Sequence, residues 1–295
     1  MKITMLGGHS SGKTSYLGGL WATVKYAPPG APVTLRGDLP ASSAYLDLAE
    51  HALLGCESVD RTRRDTGERV LLDLSIDGEP FIFQHLDVAG ETVEAMLAQR
   101  VVSAALMAEL ADSDALMIFV HPDRVKGPST IAEAMRLAAA AGVPLDLPVI
   151  PDEPDTSPAD VDPLVVWASA PTAVHLVDLV QIAMESRSSS ERARIAVIVS
   201  AWDILDGGPD WGTTVRPRAW LQRALPLFVQ FMDASSRALD WRAFGVSAQG
   251  CDFLDTAAVD ALLDLPYERR PVVVTEEDWT HDIAEPLRWL ARVPE

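Results

Sequence analysis

An apolar run from Ile3 to Leu6 leads directly into Gly7-Gly8-His9-Ser10-Ser11-Gly12-Lys13-Thr14 and so into a helix-like segment. That string constrains the fold more than any other in the chain. A G-x-x-x-x-G-K-T spacing between a strand and a helix turns backbone N–H groups toward a phosphate, brings a lysine to it and offers a threonine hydroxyl to a hard cation. The competing reading is an ordinary glycine-rich turn between strand and helix. The flanking elements favour the phosphate loop, because they supply the context that it requires.

Composition narrows the remaining classes. With 295 residues, 48% of them hydrophobic, the chain can bury a sizeable core and fits one α/β domain carrying an insertion. No apolar run reaches bilayer-spanning length, and Met1-Lys2 does not lead into a secretory signal, so no membrane insertion is expected. Cys56 and Cys251 are too few for a disulfide framework, which points to a reducing, cytoplasmic setting. A formal charge of -19 argues against nucleic acid and anionic lipid as partners. The one local basic cluster is Arg61, Arg63 and Arg64, so basic or neutral proteins are the expected partners.

Along the chain, Thr14 to Lys25 reads as a helix that the Pro28-Pro29-Gly30 turn ends, and a variable stretch follows to Gly67. Arg69 to Ile76 and Pro80 to Val88 read as two strands joined at Asp77-Gly78, a strong hairpin signal. A helical pattern covers Thr92 to Leu110, and Ala115 to Val120 is a short apolar run suited to a buried strand closed by His121-Pro122. Residues 123–171 shift to Pro, Asp and Ala and are read as an insertion around one short helix, Thr130 to Ala141. Helix, strand, helix and strand then follow at Thr172 to Glu185, Ile195 to Ser200, Arg218 to Leu239 and Arg242 to Ser247. In a last amphipathic segment Ile283, Leu287 and Leu290 share one face, with Pro286 in its first turn or kinking it. The expected fold is α/β: a single P-loop NTPase domain over 1–295, with a doubly wound, mostly parallel sheet, one antiparallel hairpin strand and helices on both faces.

Two further motifs bear on the ligand. Asp87-Val88-Ala89-Gly90 follows an apolar strand about 70 residues after the loop, where Asp87 can hold Mg²⁺ through water and the Gly90 amide can contact a γ-phosphate. Capping of the next helix is the alternative role for Asp87. Ser200-Ala201-Trp202-Asp203 lies at the carboxyl end of the AVIV strand, where open α/β sheets place ligand-binding groups. Asp203 can accept two N–H bonds from a guanine edge, which adenine cannot supply. Ser247-Ala248-Gln249 ends the next strand, where a backbone amide can meet the guanine oxygen.

In GGHSSGKT, DVAG, SAWD and SAQ the chain resembles the Ras-like superfamily of translation-factor-related GTPases. Its GGHxSGKTxYL opening and EPLRWL final helix are most similar to the bacterial double-GTPase group of conflict-system-associated proteins. The resemblance implies a Mg²⁺-dependent GTPase switch that converts GTP to GDP and phosphate for a protein effector or partner GTPase, in a bacterial defence or signalling setting. Gly7 to Ser15, Gly90, Ser200 to Asp203 and Ser247 to Gln249 would hold GTP or GDP, and Thr14, Thr66 and Asp87 the Mg²⁺. Thr62 is the alternative to Thr66. Lys13 would carry phosphate charge in catalysis.

Several positions depart from that pattern. Ala201 stands where the family has lysine, so the base loses aliphatic support and Trp202 or another side chain is left to cover it. Glu91 occupies the place of the water-orienting glutamine, where it either orients water or repels the γ-phosphate. Arg63, three residues before Thr66, is similar in spacing to the built-in arginine of heterotrimeric G-protein alpha subunits; a solvated basic loop is the alternative. His9 sits where a partner's arginine would enter, or is a solvent-facing loop histidine. His85 and His121 read as packed or strand-end histidines. Two other functions stay open: a nucleotide-locked scaffold with little hydrolysis, and a P-loop ATPase or kinase.

Overall fold

A computed structural model describes residues 1–28, 30–57, 69–86, 99, 101–128, 170–188, 191–206, 211 and 215–291. Six strands, β1 (Ile3–Leu6), β5 (Ala115–Val120), β6 (Ala193–Ser200), β7 (Leu239–Ser247), β8 (Val272–Val274) and β9 (Trp279–Thr280), form the main sheet in the order β1-β5-β6-β7-β8-β9. The β1–β5, β5–β6 and β6–β7 pairs are parallel, and β8 and β9 add an antiparallel edge. A second sheet, β2-β3-β4, joins β2 (Val33–Leu35) to the hairpin of β3 (Arg69–Ile76) and β4 (Glu79–Leu86), and β4 lies against β1. Antiparallel pairing is thus more extensive than the single hairpin strand expected.

The helices are α1 (Lys13–Lys25), α2 (Ser43–Leu54), α3 (Ala104–Ala111), α4 (Thr172–Ser186), α5 (Pro217–Ala224), α6 (Pro226–Ala234), α7 (Thr256–Leu263) and α8 (Glu285–Ala291). Two apolar layers bury the sheet. Alternate residues of β5, Ala115, Met117 and Phe119, pack with Tyr16, Leu17 and Leu20 of α1 and Leu287 of α8. Leu116, Ile118 and Val120 pack on the other face with Leu110, Val180 and Phe228. Strands covered on both faces need continuous apolar runs, which is why ALMIFV and ARIAVIVS contain so few polar residues.

Local chemistry sets the breaks. Asp77 (φ 53°) and Gly78 (φ 89°) both adopt the positive φ of a tight hairpin turn. Ser103 caps α3 by accepting from the Leu106 N–H at 3.3 Å, so α3 starts at Ala104. The helix expected from Arg218 to Leu239 is two helices. Pro226 occupies the first turn of α6 and has no N–H to continue α5, and the chain is already in strand β7 at Leu239. Within the stretch read as variable, α2 and β2 form, and α2 buries Leu46, Ala49 and Leu53 at helical spacing. The short helix expected at Thr130 to Ala141, and nearly all of the insertion, lie outside the described residues.

The C-terminal segment closes over α1. Tyr16 Oη donates to Ile283 O at 3.1 Å, Tyr267 Oη donates to Gly19 O at 2.9 Å, and Arg270 donates to Leu54 O at 3.2 Å. At the opposite end, Arg288 pairs with Asp77, Asp282 and Glu285, fastening the β3–β4 turn to α8.

Candidate functional site

Chain from β1 returns through α1 to the β2-β3-β4 side, and later chain adds β5, β6 and β7 on the other side of β1. The carboxyl end of β1 is therefore a topological switch point, where open α/β sheets form a crevice. The phosphate loop occupies it.

The loop is held by its own lysine and by the neighbouring strands. Lys13 is buried, and its Nζ donates to Gly7 O at 2.9 Å, Gly8 O at 3.1 Å and Ser11 Oγ at 3.3 Å. Gly12 has φ +91°, and a Cβ there would lie 2.6 Å from Ser200 Cβ. A Cβ on Gly7 would meet Ser11 Oγ at 2.7 Å and Phe119 O at 2.9 Å. The glycines are thus required both by backbone conformation and by the close approach of β5 and β6. Ser10 also adopts a positive φ, 54°. No side chain caps the start of α1 at Gly12, where the first-turn N–H groups and the helix dipole favour an anion. His9, Thr14 and Ser15 are half-buried at this end.

Ser200 ends β6 beside the loop and donates from Oγ to Val120 O at 3.3 Å. Ala201 then adopts φ 45°, ψ 47°, a left-handed conformation uncommon for alanine, and a single 3-10 turn spans Trp202–Ile204. This turn separates two neighbours: Trp202 goes fully into the core while Asp203 stays at the crevice. The indole packs on Gly245, so the expectation that Trp202 covers the base is corrected.

Asp203 Oδ1 accepts from Ser247 Oγ at 2.5 Å, and Ser247 Oγ itself accepts from the Gly250 N–H at 2.9 Å. Asp203 Oδ2 is buried and has no hydrogen-bond partner. Burial outweighs the Ser247 bond and raises the Asp203 pKa above the ordinary carboxylate value. A buried carboxylate with one oxygen held and the other unpaired fits a ligand edge that carries N–H donors. Ala248 is buried in the core layer, and Gln249 Nε2 is taken up by Cys251 O at 3.0 Å, which leaves the backbone of this loop, not its side chains, to meet a ligand.

His121 follows β5 at the same edge, a strand-end position, which is one of the two readings that the sequence offered. Its Nδ1 accepts from the Asp123 N–H at 3.2 Å, and it lies within electrostatic reach of Asp203; burial lowers its pKa. Placement after a buried strand was the available signal.

The donor chemistry suits a nucleotide: glycines 7 and 12 make a cradle that a Cβ would fill, and Asp203 Oδ2 awaits a donor. For a magnesium ion, Thr14 at the first turn of α1 supplies the kind of oxygen that it takes. Arg63, Thr66 and its alternative Thr62, Asp87, Gly90 and Glu91 lie outside the described residues. Among the described residues no group of three or more His, Cys, Asp or Glu side chains is arranged to hold a metal, and no helix is long and apolar enough to cross a membrane.

Comparison with known families matches residues 4–290 to the model of Double-GTPase 1. No curated protein matches. Among solved structures, the chain is similar to Methanosarcina barkeri Roco2 RocCORdC bound to GDP (12% identity, 88% of this chain and 47% of that one, TM-score 0.31). It is also similar to the signal recognition particle receptor SRb-GTP/SRX complex from Chaetomium thermophilum (13% identity, 84% and 90%, TM-score 0.39). A third likeness is to the S. cerevisiae Ski7 GTPase-like domain bound to GTP (10% identity, 90% and 46%, TM-score 0.37). The chain spans about half the length of the Roco2 and Ski7 chains. At these TM-scores the family match alone carries the assignment.

Proposed function

This chain belongs to the Double-GTPase 1 family, and on that premise we propose that it is a Mg²⁺-dependent guanine-nucleotide switch that hydrolyses GTP to GDP and phosphate. The observation that carries the reading is Asp203: one carboxylate oxygen is held by Ser247 and the other is buried and unpaired, on the sheet edge that bears the phosphate loop. Guanine presents two adjacent N–H donors to such a group and adenine does not.

In this reading the Gly7–Ser15 backbone and Lys13 bind the phosphates. Lys13 exchanges its bonds to Gly7 O, Gly8 O and Ser11 Oγ for phosphate oxygens, and the loop N–H groups carry the charge that develops on the β/γ bridge. Thr14, Thr66 and Asp87 would hold Mg²⁺, which would supply neutralisation of phosphate charge. Glu91 orients the attacking water and Arg63 adds positive charge in cis. GTP orders the segments around Thr66 and Gly90, hydrolysis releases them, and a protein effector or partner GTPase reads the difference. A cytoplasmic bacterial defence or signalling role belongs to the same proposal.

Competition of GDP, GTP and ATP for the site tests the reading. Guanine nucleotides are expected to win, and Lys13→Ala and Asp203→Ala each to weaken them; equal affinity for ATP refutes it. The half-buried His9 and the shortened Ala201 side chain favour a second reading, a nucleotide-locked scaffold. Single-turnover phosphate release separates the two, because a scaffold releases phosphate at the background rate and is unaffected by Lys13→Ala.

A further inference from the structure

The Trp202 ring has no exposed surface, although it adjoins the residue assigned to the base. It is wedged against β7 at Gly245, where a Cβ would stand 2.3 Å from Trp202 Cδ2, 2.4 Å from Cε3 and 2.8 Å from Cε2. These are atoms of the fused rings, not the tip of a flexible chain, so the contact cannot yield by a change of rotamer alone. The indole Nε1 is buried with no hydrogen-bond partner. An unpaired buried donor carries a cost, so the side chain is held here by ring size and shape rather than by its polar atom. Immediately before the ring, Ala201 occupies the left-handed region, a conformation that persists only where the surroundings over-determine it. Immediately after it stands Asp203, fastened by Ser247.

We propose that the Trp202–Gly245 wedge is a positioning device for base recognition: it fixes the Ala201 turn and so sets how far the Asp203 carboxylate reaches into the site. The inference rests on the guanine reading above. Residue 201 offers only a methyl group, and orientation of Asp203 therefore depends on what lies behind the turn. The specificity of the site is written partly on β7, in a residue that touches no ligand. A β-carbon at 245 pushes the ring, the ring moves the turn, and the carboxylate loses its alignment with the two guanine donors.

The test measures affinity of the full chain for GDP and for inosine diphosphate, which keeps the ring N–H and lacks the 2-amino group. A charge-assisted bond from that amino group to Asp203 gives wild type a GDP preference of about tenfold or more. Gly245→Ala is expected to reduce the preference to within about threefold while inosine diphosphate, read less by Asp203, weakens little. Trp202→Ala removes all three ring atoms that the added methyl meets, so the double variant Gly245→Ala with Trp202→Ala is expected to be more stable than the two single losses added together while its preference stays low, because no ring backs the turn. Should Gly245→Ala not fold, Trp202→Phe alone is expected to show a partial loss of preference. A folded Gly245→Ala or Trp202→Phe that is less stable but keeps the wild-type preference overturns the positioning role. Absence of any preference in wild type, with Asp203→Ala unchanged, instead overturns the guanine reading itself.

Discussion

Replacing Asp203 by asparagine should move stability and binding in opposite directions. In the free protein the carboxylate is buried, one oxygen is unpaired, and burial raises its pKa. A carboxyl whose pKa is higher folded than unfolded stabilises the fold when protonated; that contribution is lost as pH rises from the unfolded value of 3.8 through the folded one. Above the folded pKa the protein therefore carries the desolvation cost in full. Asparagine removes the charge and keeps an oxygen for the Ser247 hydroxyl, so the nucleotide-free protein gains about 1 kcal/mol, a rise in Tm of about 2 °C for a chain of this size. Binding goes the other way. Two charge-assisted N–H bonds from guanine are lost, at about 1.5–3 kcal/mol each, and the new amide sets donor against donor; GDP affinity falls by at least about 100-fold. The same carboxylate must be ionised to bind, so wild-type GDP affinity should decline as pH falls toward the folded pKa, whereas that of Asp203→Asn should not. Thermal unfolding of the nucleotide-free proteins and equilibrium GDP titrations at several pH values measure these effects. GDP affinity within threefold of wild type, or a nucleotide-free variant less stable than wild type, refutes the reasoning.

Gly12→Ala should abolish nucleotide binding and destabilise the free protein by about 2 kcal/mol, because it adds a Cβ at φ +91° only 2.6 Å from Ser200 Cβ; thermal unfolding and GDP titration read both. Arg288→Ala leaves the Asp77, Asp282 and Glu285 carboxylates together without their shared cation, and should cost about 2 kcal/mol in denaturant unfolding, with a smaller loss at high salt. Cys251 has its thiol pKa pushed up to about 11 by burial, so alkylation followed by intact mass should be slow at neutral pH and accelerate only as pH approaches that value.

The parts of the fold that were legible are those whose signal is local. GGHSSGKT, the Asp77-Gly78 turn and the two-sided apolar runs of β5 and β6 state their own structure, and Asp203 follows from its place at the end of β6. One helix from Arg218 to Leu239 passes over Leu225-Pro226, where a proline lacking its N–H signals a break. The three-residue β2 and β8 and the two-residue β9 were missed because strands so short owe their existence to the neighbours they pair with. Trp202 was misplaced for a different reason. Whether a residue after a strand faces ligand or core depends on the turn between them, and the left-handed Ala201 reverses what an extended chain would give.

The bonds that close the C-terminal segment over α1 also set a clock. Tyr16 and Ile283, joined through the tyrosine hydroxyl, are 267 residues apart in the chain. At a synthesis rate of about 5–20 residues per second, the helix behind the phosphate loop waits roughly 13–50 s on the ribosome before its last cover arrives. Throughout that interval Leu17, Leu20 and Trp21, which end with no exposed surface, lack part of the layer that buries them. Early chain is thus held for late chain, and a ribosome that stops short releases a product whose sticky first helix makes it a client for chaperones and proteases rather than a smaller working protein.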